Sequence, residues 1–141
     1  MKKDEIKTSS DMFFYKAQID LHTSKYLLKG IGDGKLEVDF ELIYFHLQQC
    51  AEKLLKSLLS KYKIRILKTH DIADLNILLN ENNIKTIEGL KMIENLTEYA
   101  IEGRYAILHD DLHDADQYVE ILDKLLRFVS NTIHKNHDHT I

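Results

Sequence analysis

The sequence predicts an all-α protein, an up-and-down bundle of about five helices, and three observations carry that expectation. The 141 residues include no Pro and only five Gly, so little in the chain interrupts a helix. Apolar residues recur every three or four positions over long stretches. No useful run alternates apolar with polar as a strand would, and no repeat or linker divides the chain. Residues 1–141 therefore read as a single domain, with a core at about 11–133 and short frayed tails.

Each helix has its own signal. In the first, Phe14, Ala17, Leu21 and Leu28 recur at helical spacing, with Tyr15, Ile19 and Tyr26 beside them. Ser10 and Asp11 suit its start, and Gly30 its end, ahead of the loop IGDGK at 31–35. The second, at about 39–62, carries two adjoining stripes: Ile43, Leu47, Cys50, Leu54 and Leu58, then Ala51, Leu55 and Leu59. A face that wide belongs at the centre of a bundle. A third, at about 71–80, uses Ile72, Leu75 and Leu79, and the polar stretch ENNIKT at 81–86 breaks it. A fourth is expected at about 87–101, capped by Thr86 and ended by Gly103. The last begins near Asp111 or His113 and places Ala115, Tyr118, Leu122, Leu125, Val129 and Ile133 on one face. Asp111 and Asp114 suit its positive end, and Arg127 and Lys135 its negative end.

Composition narrows the function. With 19 basic against 23 acidic side chains, the net charge is -4 with His neutral. That is not the basic face of a protein that grips duplex DNA, although a local RNA or nucleotide site stays open. The 44% hydrophobic and 30% charged residues argue against disorder. Apolar runs never exceed four residues, so no membrane span is expected, and MKKDEIKTSS does not read as a signal peptide. The lone Cys50 permits no internal disulfide, and the chain reads as cytoplasmic. A chain of this size buries roughly two thirds of its unfolded surface, so it needs no metal or cofactor to fold.

Three ordered segments carry a family resemblance. FHLQQCAEKLLKSLL at 45–59, KTHDI at 68–72 and YAIEGRY at 99–105 resemble the second helix, the lead-in to the third and the Arg-Tyr junction of HEPN domains. The resemblance covers nearly the whole chain. It implies a helical bundle that usually pairs as a homodimer and often acts beside a minimal nucleotidyltransferase in toxin–antitoxin pairs. It also implies metal-independent ribonuclease activity as an alternative, since one subset carries an Arg followed within about half a dozen residues by a His. Other members lack that His and serve as binding or assembly modules.

Arg104 and His109, with four residues between them, fit the ribonuclease spacing. The His would exchange a proton with the ribose 2′-hydroxyl or the leaving oxygen, and the Arg would hold the scissile phosphate. The plainer alternative pairs Arg104 with Asp110, Asp111 or Asp114 and leaves His109 solvated. Two positions also depart from the subset's pattern, Tyr105 after the Arg and Asp111 two beyond the His.

Candidate binding residues are Lys68, Thr69 and His70 before the third helix, Gln48 and Gln49 on the second, and Tyr105. Lys68, Thr69 and His70 would meet a phosphate at a helix N-terminus. The alternative has Thr69 or Asp71 capping the helix and His70 packing on a neighbour. Gln48–Glu52 and Gln49–Lys53, each four apart, read first as a solvated, mutually paired strip. The His/Asp run at 109–114 and the His-rich tail at 134–139 suggest metal, but capping and fraying explain them, and no metal site is expected. The expected function is thus a nucleotide- or partner-binding HEPN-like module, homodimeric and beside a nucleotidyltransferase. The alternative is an Arg104/His109 ribonuclease at a dimer cleft.

Overall fold

The computed structural model describes residues 1–66, 68–100 and 111–134. The described residues include five helices: α1 (Ser9–Gly32), α2 (Phe40–Lys61), α3 (Ile72–Glu81), α4 (Leu90–Ile93) and α5 (Ala115–Ile133). Two 3₁₀ segments accompany them, at Lys3–Glu5 and Glu94–Tyr99, and the described residues include no strand. The all-α bundle is the architecture the periodicity predicts.

α2 lies at the centre, where its double stripe predicts it. Every residue of both stripes is fully buried, and α2 packs against α1, α3, α5 and the Glu94–Tyr99 segment. α1 runs antiparallel to α2. Ser10 Oγ donates to the Ser57 carbonyl at 2.8 Å, Ser57 Oγ donates back to the Ser10 carbonyl at 2.9 Å, and Asp20 meets His46 further along. α5 runs antiparallel to α1, through Lys25–Asp123 at one end and the Phe14–His134 ring contact at the other. The six apolar positions read from the α5 sequence are all buried.

The helix ends differ in detail from the sequence expectation, each for a local reason. α1 starts about two residues earlier because Thr8 is extended and its hydroxyl accepts from Asp11 N–H, while the Asp11 carboxylate accepts from Thr8 N–H. Ser10 is freed from capping and joins α2 instead. The helix ends past Gly30, where Gly34 turns left-handed at φ 71° and Lys35 N–H donates to the Gly30 carbonyl. Gly30 serves packing, since a Cβ there would stand 3.0 Å from Leu36 Cβ. α2 and α3 close in the same way, through left-handed Lys63 and Asn83.

The fourth helix departs furthest. It starts at Leu90 rather than 87, behind a left-handed Gly89 at φ 92°, so Thr86 caps nothing there. After one turn it tightens to 3₁₀ winding, which brings Ile93, Leu96 and Tyr99 onto one buried line. Its expected terminator, Gly103, lies outside the described residues. α5 begins at Ala115, because Asp111 Oδ1 accepts from His113 N–H and forms a turn ahead of the helix.

Candidate functional site

Glu52 is the hub of the first polar cluster. It sits on α2 and is only 4% exposed. Its Oε1 accepts from Gln48 Nε2 at 3.0 Å and faces His70 Nδ1 at 3.0 Å, and its Oε2 accepts from Lys56 Nζ at 2.9 Å. Burial pushes this carboxyl upward, but hydrogen bonds from Lys56, Gln48 and His70 outweigh it and hold the carboxyl below its usual value. Gln48 also donates to the His70 carbonyl at 3.3 Å, and Gln49 Nε2 donates to Gln48 Oε1 at 2.7 Å. Of the two expected pairs only Gln48–Glu52 forms, since Gln49 turns to Gln48 and Lys53 to Asp20, and Gln48 and Glu52 are buried rather than solvated. Lys53 pairs across to Asp20 at 2.6 Å, beside His46 Nδ1 at 3.0 Å.

The structure therefore brings together three of the candidate binding residues, Gln48, Gln49 and His70. The His70 side chain stays 68% exposed, with Nδ1 turned inward to the carboxylate. Lys68 is exposed beside it in the chain. Thr69 and Asp71 are engaged locally. Thr69 Oγ1 accepts from Asp71 N–H and donates to Asp74 Oδ2, each at 3.0 Å, and Asp71 Oδ1 accepts from Ala73 N–H at 2.9 Å. Ile72 N–H donates to Thr97 Oγ1 at 3.1 Å. The first amides of α3 are thus bonded within the protein, and the exposed groups here are the His70 ring and Lys68.

A second cluster, less visible in the sequence, gathers three tyrosines. Tyr44 on α2 stacks on Tyr99 with ring centres 5.0 Å apart and meets Tyr118 of α5 edge-on at 6.2 Å. Together with Glu94, Asn95, Glu98 and Asp114 they line a cleft of about 450 Å³. Burial, then the charges of Asp114 and Asp111, push the Tyr44 hydroxyl up to about 12. Burial also raises Tyr99 and Tyr118, with Glu98 adding to the first and Asp114 and Glu98 to the second. Both described ends of the 101–110 connection meet this cluster, since Tyr99 lines the cleft and Tyr44 Oη donates to the Asp111 carbonyl at 3.3 Å. Arg104, Tyr105 and His109 lie outside the described residues.

Sequence reasoning missed Asp20 and the tyrosine cleft. Asp20 follows Ile19 on a helix with no obvious polar partner, and its mates lie 26 and 33 residues away. Tyr44, Tyr99 and Tyr118 sit at positions that read as core, and their hydroxyls meet acids from two other segments. Cys50 is a wholly buried packing residue whose thiol burial pushes up.

A helical bundle with a buried carboxylate on its central helix and an exposed His in the following lead-in defines a small α-helical module. The HEPN domain model matches residues 10–132, and the chain belongs to that family, one of nucleotide-binding and ribonuclease-type modules. No curated protein and no solved structure matches the chain. Among the described residues no helix is long and apolar enough to cross a membrane.

Proposed function

We propose that this HEPN protein is a nucleotide- and partner-binding module, working beside a minimal nucleotidyltransferase in a toxin–antitoxin-like pair. The observation that carries this reading is the sign of charge where the 101–110 connection enters and leaves. Glu94, Glu98 and Asp114 line the cleft there, with Asp111 beside it, and none of the cleft's described lining residues is basic. A ribonuclease centre on Arg104 and His109 needs the opposite field, because its substrate brings phosphates. The exposed His70 and Lys68, backed by Lys56 and the Gln48–Glu52 network, suit a nucleotide's phosphates better.

Titration calorimetry with ATP tests the binding part. Saturable binding that weakens at least tenfold in a Lys68→Ala/His70→Ala variant is expected, since even one charge-assisted contact contributes about 1.5–3 kcal/mol. Heats that do not saturate would contradict it.

A homodimer belongs to the same reading. Met12, Tyr15, Ile19 and Tyr26 follow one another along the outward face of α1, and Ile19 and Tyr26 are 45% and 74% exposed. Met12 and Tyr26 lie seven residues either side of Ile19, so a two-fold contact centred on Ile19 would set each against the other. Sedimentation should show a dimer that becomes monomeric in Ile19→Glu. An unchanged mass would move the interface elsewhere.

A further inference from the structure

We infer that the end of the bundle where α2 and α3 close is a docking surface for an acidic, extended segment of a protein partner. Such docking rests on the partner half of the proposed function and not on its nucleotide half. From Lys53 to His70 the sequence holds six cations, Lys53, Lys56, Lys61, Lys63, Arg65 and Lys68, and no acid, in a chain of net charge -4. Lys53 and Lys56 are paired with Asp20 and Glu52. Lys61, Lys63, Arg65 and Lys85 make no ion pair among the described residues. Lys61 and Lys63 also border a neighbouring cleft with Asp4, Glu5 and Asp11 and are unpaired there too. The C-termini of α2 and α3 each bring roughly half a negative charge, and Glu81 one more. Four cations outweigh them.

Shape agrees with charge. A shallow cleft of about 520 Å³ is lined by Tyr62, Ile64, Asn82, Asn83, Ile84 and Lys85, with no acid in its described lining. Tyr62 is 50% exposed, so with the two isoleucines it offers a seat for one aromatic side chain. Asn82 donates to the Leu78 carbonyl, and Asn83 makes no side-chain hydrogen bond among the described residues. Both amides keep capacity for a partner's peptide groups. Ile64 and Ile66 pack on the core while Arg65 between them is exposed, the alternation of an extended chain. Two residues along such a chain rise about 6.6 Å, which is also the spacing of same-side carboxylates in an extended acidic peptide. Lys63 and Arg65 match that repeat. A single-stranded nucleic acid fits less well, because it stacks successive bases on several aromatics and Tyr62 is the one aromatic lining this cleft.

Fluorescence anisotropy with the full chain decides it. The probe is a labelled peptide alternating Glu and Ser around one central Phe, with a Gln-for-Glu peptide as control and oligouridylate as the nucleic-acid probe. Saturable binding of the Glu peptide is expected, weakening at least tenfold in Lys63→Glu/Arg65→Glu and in the Gln peptide. Tyr62→Ser should weaken it as well. Should the charge-reversed variant melt early, raised salt serves on the unaltered chain, since pairing of exposed charges is screened. No saturation, equal affinity in Lys63→Glu/Arg65→Glu, equal binding of the Gln peptide, or indifference to salt would each overturn the inference. Tighter binding of oligouridylate that the same variant abolishes would overturn it in favour of RNA. A minimal nucleotidyltransferase held equally by wild type and variant would leave the partner reading standing and overturn this surface alone.

Discussion

Glu52 shows how a single residue can set the character of a site. Its carboxylate is buried, which is costly, and three donors hold it ionised. Glu52→Gln leaves Lys56 and His70 facing an amide, and urea unfolding at pH 7 should show a loss of about 1–3 kcal/mol. The pH dependence has a definite sign. A folded-state value below the ordinary 4.5 contributes stability above that pH and loses it as pH falls through the folded value. The gap between wild type and Glu52→Gln should therefore narrow below about pH 4.5, and a gap that widens there would count against the network. At this scale the sequence was only partly legible. The four-residue spacing of Gln48 and Glu52 announced their pairing, but not that His70 would close over them from 18 positions away. Tertiary approach, not local spacing, buries that carboxylate.

Among the elements, the long amphipathic helices were readable and the tight ones were not. α2 and α5 declare themselves because stripes at steps of three and four can be buried only by an α-helix. The fourth helix was misjudged although its signal was present. Ile87, Leu90, Ile93, Leu96 and Tyr99 step by three throughout, which is the period of a 3₁₀ helix, and the last four are buried. Helix ends were illegible where a left-handed residue is not Gly. Lys63 closes α2 at φ 58° and Asn83 closes α3 at φ 58°. Ile64 and Ile84 follow them and pack on the core, so the closures are kept despite the strain. Lys63→Gly relieves a left-handed Cβ on an exposed side chain and should raise stability by roughly 0.5–1 kcal/mol in thermal or urea unfolding. A destabilised variant would mean that the Lys63 side chain contributes more than its backbone costs.

The whole molecule combines a firmly specified scaffold with function placed at its edges. Absent Pro and wide apolar stripes specify the bundle, and three ordered motifs specify the family. The site was less legible because its charges come from segments that meet only in the fold: Glu94 and Glu98 before the 101–110 connection, Asp111 and Asp114 after it. Read along the chain these acids are capping residues and solvated faces. Brought together, they put negative charge at both described ends of the 101–110 connection, and the proposed reading as a binding module rests on that charge. The central claim is tested most directly by RNA cleavage with the purified protein in EDTA, beside His109→Ala. The account predicts that neither protein cleaves above the no-protein control. Cleavage that survives chelation and disappears in His109→Ala would contradict it and make His109 the acid or base of a metal-independent ribonuclease.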